Sequence, residues 1–419
     1  MNEPMLQDHF SYIGDGSNAT NEVAEESKIT MFRAIAVLTN TITGLGLLTI
    51  AYCFRIGLVL NFLMMIVLAV LSTISFSFLI DSSEKSGFHD FTMLIIPSFG
   101  KKYTWIPNAI MGLTLFGVSI LYCQYFASMI SSVLQEIPGV PSWVFSKWFL
   151  VFIPVIFIDL PLVFLPSISS LSYVSLGSLV LVGIFIVHSV YYFGVEVQTH
   201  GFNYNNQLKL FDFSKLIIPA LAIQATSFNC HPNVFPTLIK LENGTPRRKL
   251  ITMIFVVIIA FLIYGSAGSF TYMTLYDTVD GPVSLAYYKK GQVFTLITKG
   301  LYSILLVLTV PLILWACRLS ANDFFFKNQS TKLQWNITGC LILISAALLA
   351  VVVQKIVTFF QFVGGVSSPL MVYILPALYY IRICRDGSRI KRFLAYSFVI
   401  IGIVFIIICL YDSIKSLVK

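Results

Sequence analysis

From residue 31 onward the chain alternates apolar runs of membrane-crossing length with short polar stretches. A helix needs about 20 mostly apolar residues to cross the hydrocarbon core. Such runs begin near Met31, Leu58, Ile106, Trp148, Leu171, Leu216, Leu250, Val293, Trp335, Val357 and Phe393. The pattern predicts an all-α polytopic membrane protein with about eleven transmembrane helices over residues 31–412. The preceding stretch, "MNEPMLQDHFSYIGDGSNATNEVAEESKIT", is polar and acidic and lacks a basic n-region and a short apolar h-region. It reads as a disordered cytoplasmic tail over residues 1–30, with no cleaved signal peptide.

Two runs carry residues that a membrane helix avoids. The first contains "TNTITGLGLL", where hydroxyl and amide side chains precede Gly44 and Gly46; the sixth contains "TSFNCHPNVFPTL", where Pro232 and Pro236 each remove a backbone donor. Irregular backbone at membrane depth is tolerated where it lines a cavity or is buried in protein. The two runs are five apart and cross in opposite directions. Interruptions at corresponding positions of two halves mark an inverted-repeat transporter with its site near the midplane. This divides the domain into repeat one, about 31–194, repeat two, about 216–381, and an extra helix, about 393–411. Counted from the inner ends of their runs, Asn40 and Thr309 lie about 14 Å deep and His231 about 10 Å deep.

The breaks offer chemistry for a zwitterion. A half-helix beginning after Gly46 presents unpaired N–H groups and a positive dipole end, which suits a carboxylate. Carbonyls freed around Ser227, Phe228 and Asn229 suit an ammonium group or a cation. The side-chain oxygens of Asn40 and Thr309 are hard ligands appropriate to Na⁺.

Composition narrows the class further. The 419 residues are 57% hydrophobic and 11% charged, with mean hydropathy +0.85, which excludes an ordinary soluble domain. The densest basic groups, "TPRRK" and "RICRDGSRIKR", fall on one side of the predicted bundle. Lys and Arg are retained on the cytoplasmic side, so the N-terminus is placed in the cytoplasm and the C-terminus outside or in a lumen. The net charge of +8 is then topology plus attraction to anionic membrane lipid, and nucleic-acid binding is a poor reading of scattered basic residues. Seven cysteines without metal spacing read as inert helix-packed thiols. Sequons at Asn18, Asn243, Asn328 and Asn336 fall at the inner side and are expected to go unused.

Single residues carry two readings each. Gly44 and Gly46 could be mere packing contacts. His231 is either a structural cap or a proton site, with the cap favoured. Asp159 is an intramembrane acid, functional by default, or a residue facing the inner end beside Pro161 and Pro166. His188 reads as snorkelling or bonded to a neighbour, and Lys299 as snorkelling outward. The Thr309 hydroxyl could serve a carbonyl freed by Pro311.

"TNTITGLGLLTIAYCFRIG", "SFNCHPNVFPTL", "LTVPLILWACR" and "FVGGVSSPLMVYILPALYYIR" resemble the signatures of the amino acid/auxin permease family, especially its sodium-coupled neutral amino acid branch. The resemblance runs from about Asn40 to Arg392. It implies an eleven-helix, five-plus-five inverted repeat of the LeuT-like type, with broken helices 1 and 6 holding the amino acid. It places Asn40 and Thr309 on the Na⁺-linked positions. Thr41, Thr43, Gly44, Leu45 and Gly46 fall on the carboxylate side, and Ser227, Phe228 and Asn229 near the amine. Ala51 in "IAYCF" stands where many members have Pro, as in the sodium-coupled branch.

The resulting expectation is a monomeric secondary transporter of neutral amino acids, coupled to Na⁺ or to H⁺, in the plasma membrane or a vacuolar or lysosomal membrane. An amino-acid-sensing receptor of the same fold is the rival from another class. No H-E-x-x-H, G-x-S-x-G or paired carboxylates suggest an enzyme, and no cofactor is implied.

Overall fold

Where the chain is apolar and free of clustered proline or glycine, it forms long helices. The computed structural model describes residues 28–44, 46–164, 172–202, 207–279, 281, 283–288, 291–326 and 330–418. The predicted tail up to residue 27, together with Leu45, Pro166 and Asn328, lies outside them. Helix α1 (Met31–Thr43) and α2 (Gly46–Cys53) are followed by α3 (Leu58–Ser86), the short α4 (Ile95–Phe99) and α5 (Trp105–Leu134). Next come α6 (Lys147–Pro154), α7 (Leu160–Val163), α8 (Ser172–His200), α9 (Ile217–Ser227), α10 (Val234–Leu238) and α11 (Pro246–Leu275). The chain closes with α12 (Val293–Phe326), α13 (Lys332–Val352), α14 (Ile356–Ser368), α15 (Leu375–Ile383) and α16 (Arg389–Val418).

Among the described residues, eight helical stretches are long and apolar enough to cross a membrane, and the bent pair α1–α2 makes a ninth. The two other predicted runs are present as broken stretches. The run near Trp148 becomes α6, a π-turn over Val155–Asp159 and α7, with Pro154 and Pro161 at the junctions. The run near Leu216 becomes α9, a single turn over His231–Asn233 and α10.

Local chemistry sets the ends. Thr30, Ser146 and Thr245 each accept a backbone N–H in the first turn of α1, α6 and α11, and Pro246 takes the N1 position where its missing donor costs nothing. Thr331 and Gln334 form a reciprocal capping box on α13. Gly87 ends α3 in the left-handed conformation at φ 74°.

The bundle is apolar outside and sprinkled with small polar groups inside, the inverse of a soluble protein. On α16, Ile400, Val404, Ile407 and Tyr411 are exposed, while Ser72, Ser75, Asn61 and Gln224 are buried. Close approach of α14 to α9 depends on Gly364, which presses on Thr226, and its approach to α16 on Gly365, which presses on Cys409. The N-terminal end of α1 is tied to the end of α10 by an isolated parallel bridge. The Ile29 amide donates to the Lys240 carbonyl at 2.8 Å, and the Glu242 amide to the Ile29 carbonyl at 3.0 Å.

Candidate functional site

The break in the first run opens a cavity. Helix α2 is inclined 58° to α1, and Gly44, at the end of α1, has φ −31° and ψ −116°, outside the helical region. A cavity of about 210 Å³ lies against this break. Its polar wall is Asn40, Thr41, Thr43 and Gly44 from α1, Ser178 from α8 and Thr309 from α12. The opposite wall is apolar and aromatic, with Leu47, Leu48, Val182, Leu305, Tyr122 and Tyr302 among its residues. Among the described residues, no charged side chain lines it.

The hydroxyls of this wall are spent in one direction. Thr41 donates to the Val37 carbonyl at 3.0 Å, Thr43 to Thr39 at 2.8 Å and Thr309 to Leu305 at 2.7 Å, each one turn back along its own helix. A hydroxyl has a single proton, so what remains for a guest is lone pairs. Thr309 therefore does not serve the Val307 carbonyl that Pro311 leaves without its helical donor; its proton goes to Leu305. The Asn40 side-chain oxygen accepts the hydroxyl of Ser178 across the α1–α8 interface. The result is a cluster of neutral oxygens on three helices, with the Tyr122 hydroxyl 3.5 Å from where a Cβ on Gly44 would stand.

The second break sits beside this cavity but does not line it. Ser227, at the end of α9, is buried and donates its hydroxyl to Ile223 at 2.8 Å. Phe228 is fully buried, its ring edge-on to Tyr264 at 5.5 Å. Asn229 turns its side-chain oxygen back to the His231 amide and to His231 Nδ1, both at 3.2 Å. Gly46 stands between the two breaks: a Cβ there would meet the Ser227 hydroxyl oxygen at 2.5 Å and the Tyr264 oxygen at 2.6 Å. Thus Asn40, Thr41, Thr43, Gly44 and Thr309 share one cavity, Gly46 and the Ser227–Asn229 segment are not in its lining, and Leu45 lies outside the described residues.

Among the described contacts, the His231 ring bonds the side chains of Asn229 and Ser75 and caps no backbone group. The residue is fully buried, its Nε2 is 3.0 Å from the Ser75 hydroxyl, and its ring stacks on Phe76 at 4.2 Å. Asp159 is 1% exposed within the π-turn, one carboxyl oxygen without a hydrogen-bond partner among the described residues, and it does not line the cavity.

Lys299 departs from expectation, whereas His188 takes the second of its two readings, bonded to a neighbour. Lys299 does not snorkel: it is buried and pairs with Glu136 at 3.3 Å, because an acid from the end of the third crossing helix is available to neutralise it in place. His188 is fully buried, with Nε2 2.9 Å from the Thr295 hydroxyl and Tyr192, Tyr288 and Phe294 around its ring.

Ser178 and Tyr264 were not singled out by the sequence. Each lies in an unbroken apolar helix, where one hydroxyl gives no periodic or spacing signal.

The sequence profile of the family described as transmembrane amino acid transporter protein matches residues 27–415. Among solved structures, MhsT in complex with L-phenylalanine is similar at TM-score 0.59 and 12% identity, over 93% of this chain and 100% of that one. The inward-facing conformation of Mhp1 gives TM-score 0.63 at 11% identity, over 93% and 92%. Mhp1, a nucleobase-cation-symport-1 family transporter, in a closed conformation with bromovinylhydantoin bound gives 0.55 at 10% identity, over 93% and 94%. At these identities the likeness establishes the fold, the LeuT-like helical arrangement.

Proposed function

Because this chain belongs to the transmembrane amino acid transporter protein family, and is a transporter rather than an enzyme, we propose that it moves neutral amino acids by alternating access, coupled to Na⁺ as co-substrate. The observation that carries this reading is the uncharged, oxygen-lined cavity at the first break. A cationic or acidic side chain would enter it without a counter-charge, at a high desolvation cost. Its volume is below the roughly 300–1,000 Å³ of drug-sized pockets, which favours a compact substrate. The substrate carboxylate is assigned to the helix break at Gly44, with the Tyr122 hydroxyl beside it.

Na⁺ is assigned to the oxygens of Asn40 and Thr309, with Ser178 orienting the former. Small hard cations take neutral oxygen ligands of this kind. The proton-coupled alternative needs a titratable group at the cavity, and among the described residues the lining offers only the phenols of Tyr122 and Tyr302. The side bearing "TPRRK" and "RICRDGSRIKR" is assigned to the cytoplasm. There α3 holds ion pairs of Glu84 with Lys249, Asp81 with Lys391 and Lys85 with Asp386. Uptake of radiolabelled amino acids into proteoliposomes, with Na⁺ or choline outside and across pH, tests the proposal. Accumulation of neutral amino acids only with Na⁺ is expected; uptake unchanged in choline removes the sodium assignment, and no uptake of any amino acid removes the transporter reading.

A further inference from the structure

Each break leaves backbone carbonyls without their helical donors, among them that of Ile42 at the first and that of Ser227 at the second. In an unbroken helix the Ile42 carbonyl would accept from the amide of residue 46, and the Ser227 carbonyl from that of residue 231. The first partner is lost at Gly44–Gly46. The second is diverted, since the His231 amide donates to the Asn229 side chain. Both carbonyls are at membrane depth, where an unpaired acceptor costs several kcal/mol.

One side chain serves both. The hydroxyl of Tyr264, on α11, lies 2.5 Å from the Ile42 carbonyl oxygen and 3.1 Å from that of Ser227. Tyr264 is fully buried and is not among the residues lining the cavity. Its ring is held by the edge of Phe228, the residue after Ser227. Gly46 permits the convergence, since a methyl group there would sit within 2.6 Å of both the Ser227 and Tyr264 side-chain oxygens. A phenol has one proton, so at any instant it satisfies one carbonyl and leaves the other short.

We propose that Tyr264 is a positioning residue that ties the two breaks into one unit, so that α1 and α9 change arrangement together. The inference rests on alternating access at the breaks as the protein's function. It assigns the shared donor of that motion to a helix that does not touch the cavity. In the absence of the hydroxyl each break carries an unpaired carbonyl, and the two reorient independently. Occupation of the cavity persists, because its lining is intact, but the concerted step that delivers substrate to the other side is lost.

The test compares wild type, Tyr264→Phe and Tyr264→para-aminophenylalanine, whose aniline offers two N–H donors to the same carbonyls. Uptake of radiolabelled L-alanine, L-glutamine and L-leucine is measured for rate and half-saturation. In Tyr264→Phe the saturating rate is expected to fall about tenfold or more, the scale of one donor lost to a buried acceptor, with half-saturation within about threefold of wild type. The aniline variant recovers most of that rate. A second readout does not need transport: the distance between spin labels at exposed Val37 on α1 and exposed Lys215 at the head of α9. Its distribution broadens in the Phe variant and narrows again in the aniline variant. A Phe variant with wild-type rate and distance distribution overturns the proposal. So does a loss of binding and rate together that the aniline does not repair. If the Phe variant does not fold, the aniline variant decides: wild-type behaviour supports the donor role, and failure overturns it. Wild-type protein that takes up none of the three amino acids counts against the transporter reading alone, because the distance measurement still decides whether Tyr264 couples the breaks.

Discussion

The hydroxyl of Ser178, on α8, donates to the side-chain oxygen of Asn40, on α1. The contact joins a broken helix to an unbroken one at the edge of the cavity, and it fixes which way the Asn40 amide faces. An amide oxygen that accepts one hydroxyl proton keeps a second lone pair for a cation.

Ser178→Ala removes that orientation and leaves Asn40 in place. The net worth of such a hydrogen bond is about 0.5–1.5 kcal/mol, or roughly two- to tenfold in affinity. The Na⁺ concentration giving half-maximal uptake is expected to rise by about that factor, with the maximal rate changed much less. Na⁺ titration of amino acid uptake measures it. An unchanged half-saturation for Na⁺ would mean that Asn40 is oriented by other contacts.

Thr309→Ala removes an oxygen whose proton is committed to Leu305 and whose lone pairs remain for the cavity. Loss of Na⁺ dependence, or at least about a tenfold weakening of Na⁺ affinity, is expected, since tenfold corresponds to about 1.4 kcal/mol for one lost ligand. Thr309→Ser keeps the hydroxyl and should retain Na⁺ dependence near wild type. The pair of variants separates ion binding from packing, because serine loses only the methyl group and alanine loses the oxygen as well. Equal behaviour of the two variants would assign Thr309 a packing role.

The breaks were legible because they are written in residues with backbone consequences: Gly44 and Gly46 in one run, Pro232 and Pro236 in the other. Helix rise then brought Asn40 and Thr309 to one depth, and both line the same cavity. What could not be read is which donors meet the orphaned groups. Ser178 and Tyr264 are single hydroxyls on ordinary apolar helices, and their relevance appears only when the helices pack. Lys299 was misread for the same reason. Its neutralising acid, Glu136, is 163 residues away in sequence, and a lone lysine near a membrane face otherwise snorkels.

The Glu136–Lys299 pair is itself a test of burial. The two side chains are 7% and 2% exposed, and the Gly291 amide adds a hydrogen bond to Glu136 at 3.1 Å. Removing one partner of a buried pair leaves an uncompensated charge and costs about 3–5 kcal/mol, whereas replacing both by apolar groups of similar size is often near neutral. Lys299→Met is therefore expected to lower the melting temperature of the detergent-purified protein clearly, and Glu136→Leu combined with Lys299→Met to recover most of it. A double variant as unstable as the single one would show that the pair's geometry, and not the stranded carboxylate, is what matters.

His89 gives a pH dependence with a definite sign. It follows α3 in the connection to α4, with Nδ1 2.6 Å from the Ser83 hydroxyl. Partial burial, reinforced by the charge of Lys249 and opposed by Glu84, holds its imidazole below the ordinary value of 6.5. The folded protein thus binds this proton less readily than the unfolded chain. Stability rises with pH wherever the unfolded state binds more protons. The contribution of His89 is therefore fully present above about pH 6.5, the ordinary histidine value, and is lost progressively as pH falls from there through the depressed folded-state value. Melting curves of wild type and His89→Asn between pH 5 and 8 measure it. The difference between the two is expected to be constant above the ordinary histidine range and to shift in favour of the Asn variant as pH drops below it. A difference that stays constant down to pH 5 would show that His89 titrates alike in both states.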